Sequence, residues 1–326
     1  MYFQGKKLDS KLEKIDDYIY ILKGTTSSNI YYLDFEKKAI IDTGHPNDCK
    51  NNYEIFKKGG FLLDEIDYIL NTHSHGDHVG GNVYFKKLNP GVKIFGSKYM
   101  YKYQSLRKNT GILKGSEDDF DEYTIDVELN ENDVIDLGNT KLIVYETPGH
   151  TDDSISFYLK DKKYLFSGDV IYNKVITQVN YYKDFLVSLE ELITSYKKLE
   201  DIDTVYLFPG HGPFIENVQD NIKSCLRKLE RFKKNPEMII INIFVPSAEY
   251  YIHKNNGCLI ENLKEYFIKN TLKFKHYSVF KNIKPDDFDS LTNKVISLMK
   301  IMNLIKIKDN RIFLINELNQ YIELNR

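Results

Sequence analysis

Short apolar runs of strand length recur up to about residue 210, each closed by glycine, asparagine or a charged pair. YIYILKG (18–24) and NIYYLDF (29–35) are β-rich and flank the turn-like GTTSSN, and KAIIDTG (38–44) is a short buried-type strand ending in a tight turn. IDYILNT (66–72), VKIFGS (92–97), DVIDLGN (133–139), TKLIVYETPG (140–149), SISFYL (154–159), KYLFSGDV (163–170) and TVYLFPG (204–210) continue the series. Helical spacing intervenes. NDCKNNYEIFKKGG (47–60) predicts a helix stopped by paired glycines, and a second is predicted from Val79 through GNVYFKKL. KDFLVSLEELITSYKKLE (183–200) predicts the clearest, with Phe185, Leu189, Leu192 and Tyr196 on one face. Strands with helices interspersed predict an α/β fold around a sheet sandwich, not strict β-α-β alternation.

After about residue 215 the pattern turns helical. VQDNIKSCLRKLERFKKNP (218–236) is amphipathic, with Ile222, Leu226 and Leu229 on one face and Pro236 closing it. Near the end, Phe288, Leu291, Val295, Met299 and Met302 share a helical face, and LIKIK and RIFLI alternate on either side of Asp309–Asn310. A helix followed by a hairpin predicts a winged-helix-like ending. The expected division is a tag remnant at 1–5 (MYFQG), a catalytic domain at 6–220 and a smaller helical, winged-helix-like domain at 221–326.

Composition narrows the class only a little. The 326 residues are 42% hydrophobic and 28% charged, an ordinary globular balance, and no apolar run has the length of a membrane span. A formal net charge of −2 gives the whole molecule no pull toward nucleic acid or an anionic membrane. Cys49, Cys225 and Cys258 are odd in number and far apart, so no disulfide framework is expected and a cytoplasmic setting suits them.

The chemistry concentrates in NTHSHGDHVGG (71–81), which places three of the chain's eight histidines and an aspartate within six positions. In an extended segment His73 and His75 project to the same side, so their imidazoles can hold one ion together. Asp77 and His78 are adjacent, point differently and can serve a second ion. Four ligands do not complete two sites. Three further strand-end turns beside glycine supply His150 (TPGHTDDS), Asp169 (LFSGDV) and His211 (FPGHGP). Two histidine-rich groups with a carboxylate between them suit two divalent metal ions, zinc first, with iron or manganese also admitted by these ligands.

HSHGDH followed by an isolated histidine, an aspartate and a final histidine resembles the metallo-β-lactamase fold, in the branch that holds glyoxalase II, quorum-sensing lactonases and the lactamase-beta-like endoribonucleases. The resemblance spans about residues 15–235 and implies an αββα sandwich. It implies that His73, His75 and His150 hold one metal, that Asp77, His78 and His211 hold the other, and that Asp169 bridges them. A hydroxide shared by the two metals would attack a carbonyl or phosphoryl centre, with no serine or cysteine nucleophile. PGHGP, a Lys/Arg-bearing helix and the tail resemble the lactamase-beta-like proteins and the discrete thioesterases of polyketide pathways. The glutathione-binding pattern of glyoxalase II is not recognisable. The implied activity is therefore hydrolysis of an ester or thioester on a small-molecule or carrier-bound acyl substrate. A metal-dependent endoribonuclease on single-stranded RNA, a lactonase, and a di-iron redox or metal-binding regulatory protein are the alternatives. Nucleic acid is a disfavoured partner, no membrane is expected, and a homodimer is compatible with the sequence.

Asp77 has a second expected role, orienting the hydroxide, and Tyr172 occupies a position where some lactonases of this family carry a tyrosine near the substrate carbonyl. Its phenol would donate to the oxyanion. Asp42 and Thr72 are candidates to hydrogen-bond the ligand imidazoles. The 97–115 segment reads as a solvated insertion or a substrate-contacting lid. Lys223, Arg227, Lys228, Arg231, Lys233 and Lys234 form a basic helix face able to meet phosphate or, in the plainer reading, only water. His45, His253 and His276 have no ligand context and are expected to be structural.

Overall fold

The computed structural model describes residues 12–23, 27–102, 122–180, 184–235, 237–273 and 287–315. The MYFQG opening, the 103–115 part of the expected lid and His276 lie outside the described residues. Two compact units divide the chain, Met1–Gln178 with Glu191–Cys225, and Val179–Glu190 with Leu226–Arg326.

In the first unit seven strands pair in chain order: β1 (Leu12–Lys14), β2 (Ile19–Leu22), β3 (Ile30–Asp34), β4 (Lys38–Ile41), β5 (Tyr68–Leu70), β6 (Lys93–Ser97) and β7 (Val127–Leu129). β1 to β4 form an antiparallel meander, and β4 to β7 are parallel. The parallel pairs require crossovers. Helices α1 (Cys49–Lys58), α2 (Gly76–Val79) and α3 (Asn82–Leu88) lie in them. A second sheet has the order β12 (Tyr206–Pro209), β11 (Tyr164–Gly168), β10 (Ile155–Leu159), β9 (Lys141–Glu146), β8 (Val134–Asp136).

Period-two alternation in β3 decides the layering. Tyr31 and Leu33 join Phe157, Phe166 and Phe208 of the second sheet in a core between the sheets. Ile30 and Tyr32 point the other way and pack with Phe56 of α1 and Phe85 of α3. On the second sheet's side, α4 (Phe185–Glu200) reaches the end of β9, where Ser195 Oγ donates to Pro148 O at 2.7 Å and Lys198 Nζ to Glu146 O at 2.8 Å. Helices outside two facing sheets give the expected αββα sandwich.

The second unit has its own core. Ala248 and Ile252 of the helix Glu237–Lys254, Leu263 and Phe267 of Ile260–Lys273, and Val295 and Met299 of Asp287–Ile301 meet Ile305 and Ile312. Those two isoleucines come from β14 (Ile305–Lys308) and β15 (Arg311–Leu314), which pair antiparallel beside β13 (Cys258–Leu259). Asp309 and Asn310, with φ of 51° and 60°, make the turn between them.

Three details depart from the sequence pattern. The helix after the histidine cluster starts at Gly76, not Val79, so Asp77 and His78 sit on a helical turn. Met302 lies beyond the helix that ends at Ile301 and is exposed, because 3.6-residue spacing stops counting where the helix stops. β1, β7 and β13 are too short, at two or three residues each, to show alternation.

Candidate metal centre

Strand direction brings the donors to one edge. β9 and β11 are both antiparallel to β10, and β12 is parallel to β11, so β9, β11 and β12 end on the same side. Those ends carry His150, Asp169 and His211. In the other sheet β4 and β5 run parallel and deliver Asp42 and the 71–78 segment. Ile155 N of the second sheet donates to Thr72 O beyond β5 of the first at 2.8 Å, and within the second sheet Gly210 N donates to Gly168 O at 2.7 Å.

The donor atoms gather in two groups, His73, His75, His150 and Asp169 in one and Asp77, His78 and His211 in the other, each with its atoms within 4.8 Å of one another. In the first, His75 Nδ1 lies 3.0 Å from His73 Nε2 and 3.1 Å from His150 Nε2. In the second, His211 Nε2 lies 3.0 Å from Asp77 Oδ2 and 3.3 Å from His78 Nε2. Asp169 stands between them, Oδ1 at 3.2 Å from His78 Nε2 and Oδ2 at 3.5 Å from His211 Nε2 and 3.7 Å from His150 Nε2. All seven residues singled out in the sequence are thus brought together.

Hydrogen bonds outside the groups select the tautomers. A carboxylate or carbonyl oxygen only accepts, so His78 Nδ1–H donates to Asp42 Oδ2 at 2.7 Å and His150 Nδ1–H to Gln178 O at 2.8 Å. Thr72 Oγ1 gives its proton to Asp42 Oδ2 at 2.8 Å and accepts from His73 Nδ1 at 3.1 Å. His73, His78 and His150 therefore all point an unprotonated Nε2 inward when neutral. Nitrogen lone pairs facing one another at 3.0–3.3 Å repel unless a cation or a proton lies among them.

The electrostatics ask for positive charge. Burial pushes His73 well below the usual imidazole range, helped by His78 and His75, and burial also lowers His150. For His78 burial acts downward too, but Asp169, Asp42 and Asp77 overcome it and raise it well above that range. His211 is likewise raised, by Asp169 and Asp77 against burial. Burial acts upward on Asp77 and Asp169, yet the imidazoles around them hold both below the carboxylate range. Among the described residues Asp169 Oδ1 is buried with no hydrogen-bond partner, an arrangement that costs stability unless a cation completes it. The donor set, two nitrogen-rich groups sharing one carboxylate, fits two divalent ions of the zinc, iron or manganese type.

Backbone shape leaves the space. A Cβ on Gly210 would run into Asp169 Oδ1, and one on Gly168, where φ is +52°, would meet Thr72 Cβ at 2.7 Å. Asp42 holds φ of 60°, unusual for a residue with a side chain, and it both turns the chain after β4 and bonds Thr72 and His78. Tyr172 is buried at the edge of the second group, its ring centroid 6.2 Å from that of His211. His45 is buried and belongs to neither group, its backbone N–H on Ser27 Oγ at 2.6 Å and its Nδ1 accepting from Asn47 N at 3.2 Å. Lys223, Arg227, Arg231 and Lys234 are exposed along helix α5 (Val218–Lys234).

Several contributors carried no readable signal. Asn29 donates through Nδ2 to Gly212 O at 2.9 Å and through its backbone to Gly210 O at 2.6 Å, fixing the turn of His211. Ser28 N bonds Asp77 O at 3.2 Å, so one loop steadies two ligand turns. Thr177 and Gln178 meet His150 from a segment of ordinary composition. Only adjacency to the known turns could have pointed to any of them.

The family model described as the metallo-beta-lactamase superfamily matches residues 24–211. The Beta-lactamase-like protein 2 homolog of Caenorhabditis elegans is 31% identical over 222 residues, covering 68% of this chain and 66% of that protein. The atrochrysone carboxyl ACP thioesterase of Aspergillus fumigatus is 28% identical over 178 residues, covering 55% of this chain and 48% of that one. The chain thus spans about half to two thirds of the length of these curated relatives. Among solved structures, a metallo-beta-lactamase family protein of Thermus thermophilus superposes with a TM-score of 0.55 at 16% identity, covering 92% of this chain and 100% of that one. At that identity the likeness concerns the fold.

Proposed function

We propose a reaction for a chain that belongs to the metallo-beta-lactamase superfamily: hydrolysis of an acyl ester or thioester at a pair of divalent metal ions. The single observation that carries it is the convergence of seven donors in two groups with Asp169 between them. His73, His75 and His150 would hold one ion and Asp77, His78 and His211 the other, with Asp169 shared. When bound, the ions supply Lewis acidity toward a carbonyl oxygen and acidify water toward a pKa of about 7. Zinc is our first choice, with iron and manganese served by the same ligands.

The chain's own groups do the rest. Asp77 is partly exposed, and one of its oxygens lies 3.0 Å from His211 Nε2, so its second oxygen is free to orient the attacking water. Tyr172 keeps its phenol proton at neutral pH, because burial and then Asp169 raise it well above the ordinary phenol range. It serves as a neutral donor to the oxygen on which negative charge develops. The relative in Aspergillus named an ACP thioesterase supports an acyl thioester as the substrate, carrier-bound or small.

The exposed row Lys223, Arg227, Arg231 and Lys234 favours a second reading, metal-dependent cleavage of single-stranded RNA. We further propose a catalytic domain at 6–220 and a winged-helix-like domain at 221–326. Elemental analysis comes first, with two equivalents of metal expected. Hydrolysis of acyl-coenzyme A, acyl-carrier thioesters, homoserine lactones and a short RNA then separates the readings. His75→Ala is expected to lose metal and turnover together. Full hydrolysis by that variant, or a chain that takes up no divalent cation, would sink the proposal.

A further inference from the structure

His211 stands between two glycines, and Gly212 takes φ of 78°, so its own stretch of chain does little to fix the direction of its ring. The loop around it is closed at the base, where Leu207 N donates to Ile215 O at 3.0 Å and Ile215 N to Leu207 O at 2.8 Å. Its tip is held from the other sheet, just before β3. Asn29 N donates to Gly210 O at 2.6 Å, and Asn29 Nδ2 donates to Gly212 O at 2.9 Å and to Pro209 O at 3.1 Å. One residue thus takes carbonyls on both sides of His211. Tyr31, two positions on and so on the same side of the extended chain, donates from Oη to Pro209 O at 2.6 Å. Ser28, the residue before, donates its N–H to Asp77 O at 3.2 Å. Neighbouring residues at one strand end therefore hold two ligands of the second group, whose donor atoms lie 3.0 Å apart.

We infer that Asn29 is a positioning residue that sets the opening between Asp77 and His211, and through it the affinity of the protein for the second ion rather than the first. The chemistry of the loop requires an amide here. A carbonyl only accepts, so the atom facing Gly212 O and Pro209 O is the NH₂, and its two hydrogens are directed at them, with Tyr31 Oη a more distant neighbour at 3.3 Å. Asn29 is 2% exposed, so bulk water does not stand in for these bonds. Three carbonyl oxygens that converge on one buried residue repel any acceptor placed among them. The first group has anchors of its own: His73 Nδ1 donates to Thr72 Oγ1 and His150 Nδ1 to Gln178 O.

The consequence is specific to one group. Asn29→Asp keeps the shape and the backbone bond, but it sets a carboxylate oxygen against two carbonyls. Pro209 and Gly212 move away from it and carry His211 with them. His78 stays, because Asp42 Oδ2 accepts from its Nδ1 and Thr43 N donates to its carbonyl at 2.7 Å. Asn29→Ala removes the two amide bonds without adding charge, so the same displacement is smaller.

The inference rests on the metal reading above, and a parent chain that takes up fewer than two divalent ions overturns both. Zinc affinities of the full chain are measured by competition with a chromophoric chelator. Absorption spectra taken as Co²⁺ is added one equivalent at a time report the ligand geometry of each group, and urea unfolding of the metal-free chain reports stability separately. Asn29→Asp is expected to keep parental affinity at one site and to lose about 10- to 100-fold at the other, with only one of the two Co²⁺ spectra changed. Asn29→Ala should show a smaller loss at the same site. Parental affinity at both sites in both variants overturns the inference. So does an equal loss at both sites that follows the fall in metal-free stability, which is what a purely structural role gives. If Asn29→Asp does not fold, Asn29→Ala decides by the same criteria. Loss of one ion alone, in a protein whose parent hydrolyses no acyl substrate, sustains this inference and refutes the proposed reaction.

Discussion

Replacing Asp42 with asparagine preserves the shape of a buried side chain and turns one acceptor into a donor. Asp42 Oδ1 accepts from Thr72 N at 2.8 Å, and Oδ2 accepts from Thr72 Oγ1 at 2.8 Å and His78 Nδ1 at 2.7 Å. In Asp42→Asn the amide NH₂ must face one of these donors. Facing His78, it forces the imidazole proton from Nδ1 to Nε2, the atom that lies 3.2 Å from Asp169 and 3.3 Å from His211. A protonated Nε2 cannot ligate. Facing Thr72, it strands a buried backbone N–H at a cost of about 1–3 kcal/mol. In the first orientation, removing such an outer partner weakens the His78 group's hold on an ion about 10- to 100-fold, equal to about 1.4–2.7 kcal/mol. Metal content after dialysis against graded chelator reads the result directly. One ion should leave at a lower chelator concentration than in the parent, and the other should stay. Two ions retained with parental affinity, at parental thermal stability, would refute the tautomer argument.

Gly210→Ala should fold yet bind metal weakly, because the new methyl collides with Asp169 Oδ1 and lies 2.6 Å from His78 Cε1; calorimetric titration with zinc checks it. Phe157→Ala, at a fully buried position between the sheets, should cost about 3–5 kcal/mol in urea unfolding. Zinc at a hundredfold excess over Kd should stabilise the folded protein by about 2.7 kcal/mol for each site filled, seen as a rise in Tm that a chelator reverses. Glu249, 6% exposed, is pushed up to about 7 by burial, above its ordinary 4.5. Its neutral form suits the folded state, so its contribution is fully present below pH 4.5 and is lost as pH rises through about 7. Unfolding monitored from pH 5 to 8 should show a steeper fall for the parent than for Glu249→Gln, and parallel curves would contradict the burial argument.

Strand positions were legible because burial on one or both faces forces apolar residues into short runs, whatever the tertiary partner. The donor cluster was legible for a related reason: histidine and aspartate are rare at buried strand ends unless something holds them, and glycine beside them marks the turn. HSHGDH, His150, Asp169 and His211 therefore stood out although 138 positions separate His73 from His211. Very short strands such as Val127–Leu129 escaped, since three residues cannot display a period. Asn29, Thr177 and Asn221 escaped for a different reason. Each is an ordinary polar residue whose meaning depends on the atom it meets, and those atoms lie far along the chain: Gly210 and Gly212 for Asn29, His150 for Thr177, Lys174 and Tyr172 for Asn221.

The chain by itself determined which side chains could bind cations and that they stood at strand ends. Folding decided which ends face one another. β9, β11 and β12 share a direction only because β10 runs back between two of them, and Thr72 meets Ile155 only because the two sheets face one another. The tautomers and the shared position of Asp169 are properties of distances below about 4 Å, the range over which hydrogen bonds and ion pairs act. Residue order along a polymer sets no such distance; packing does.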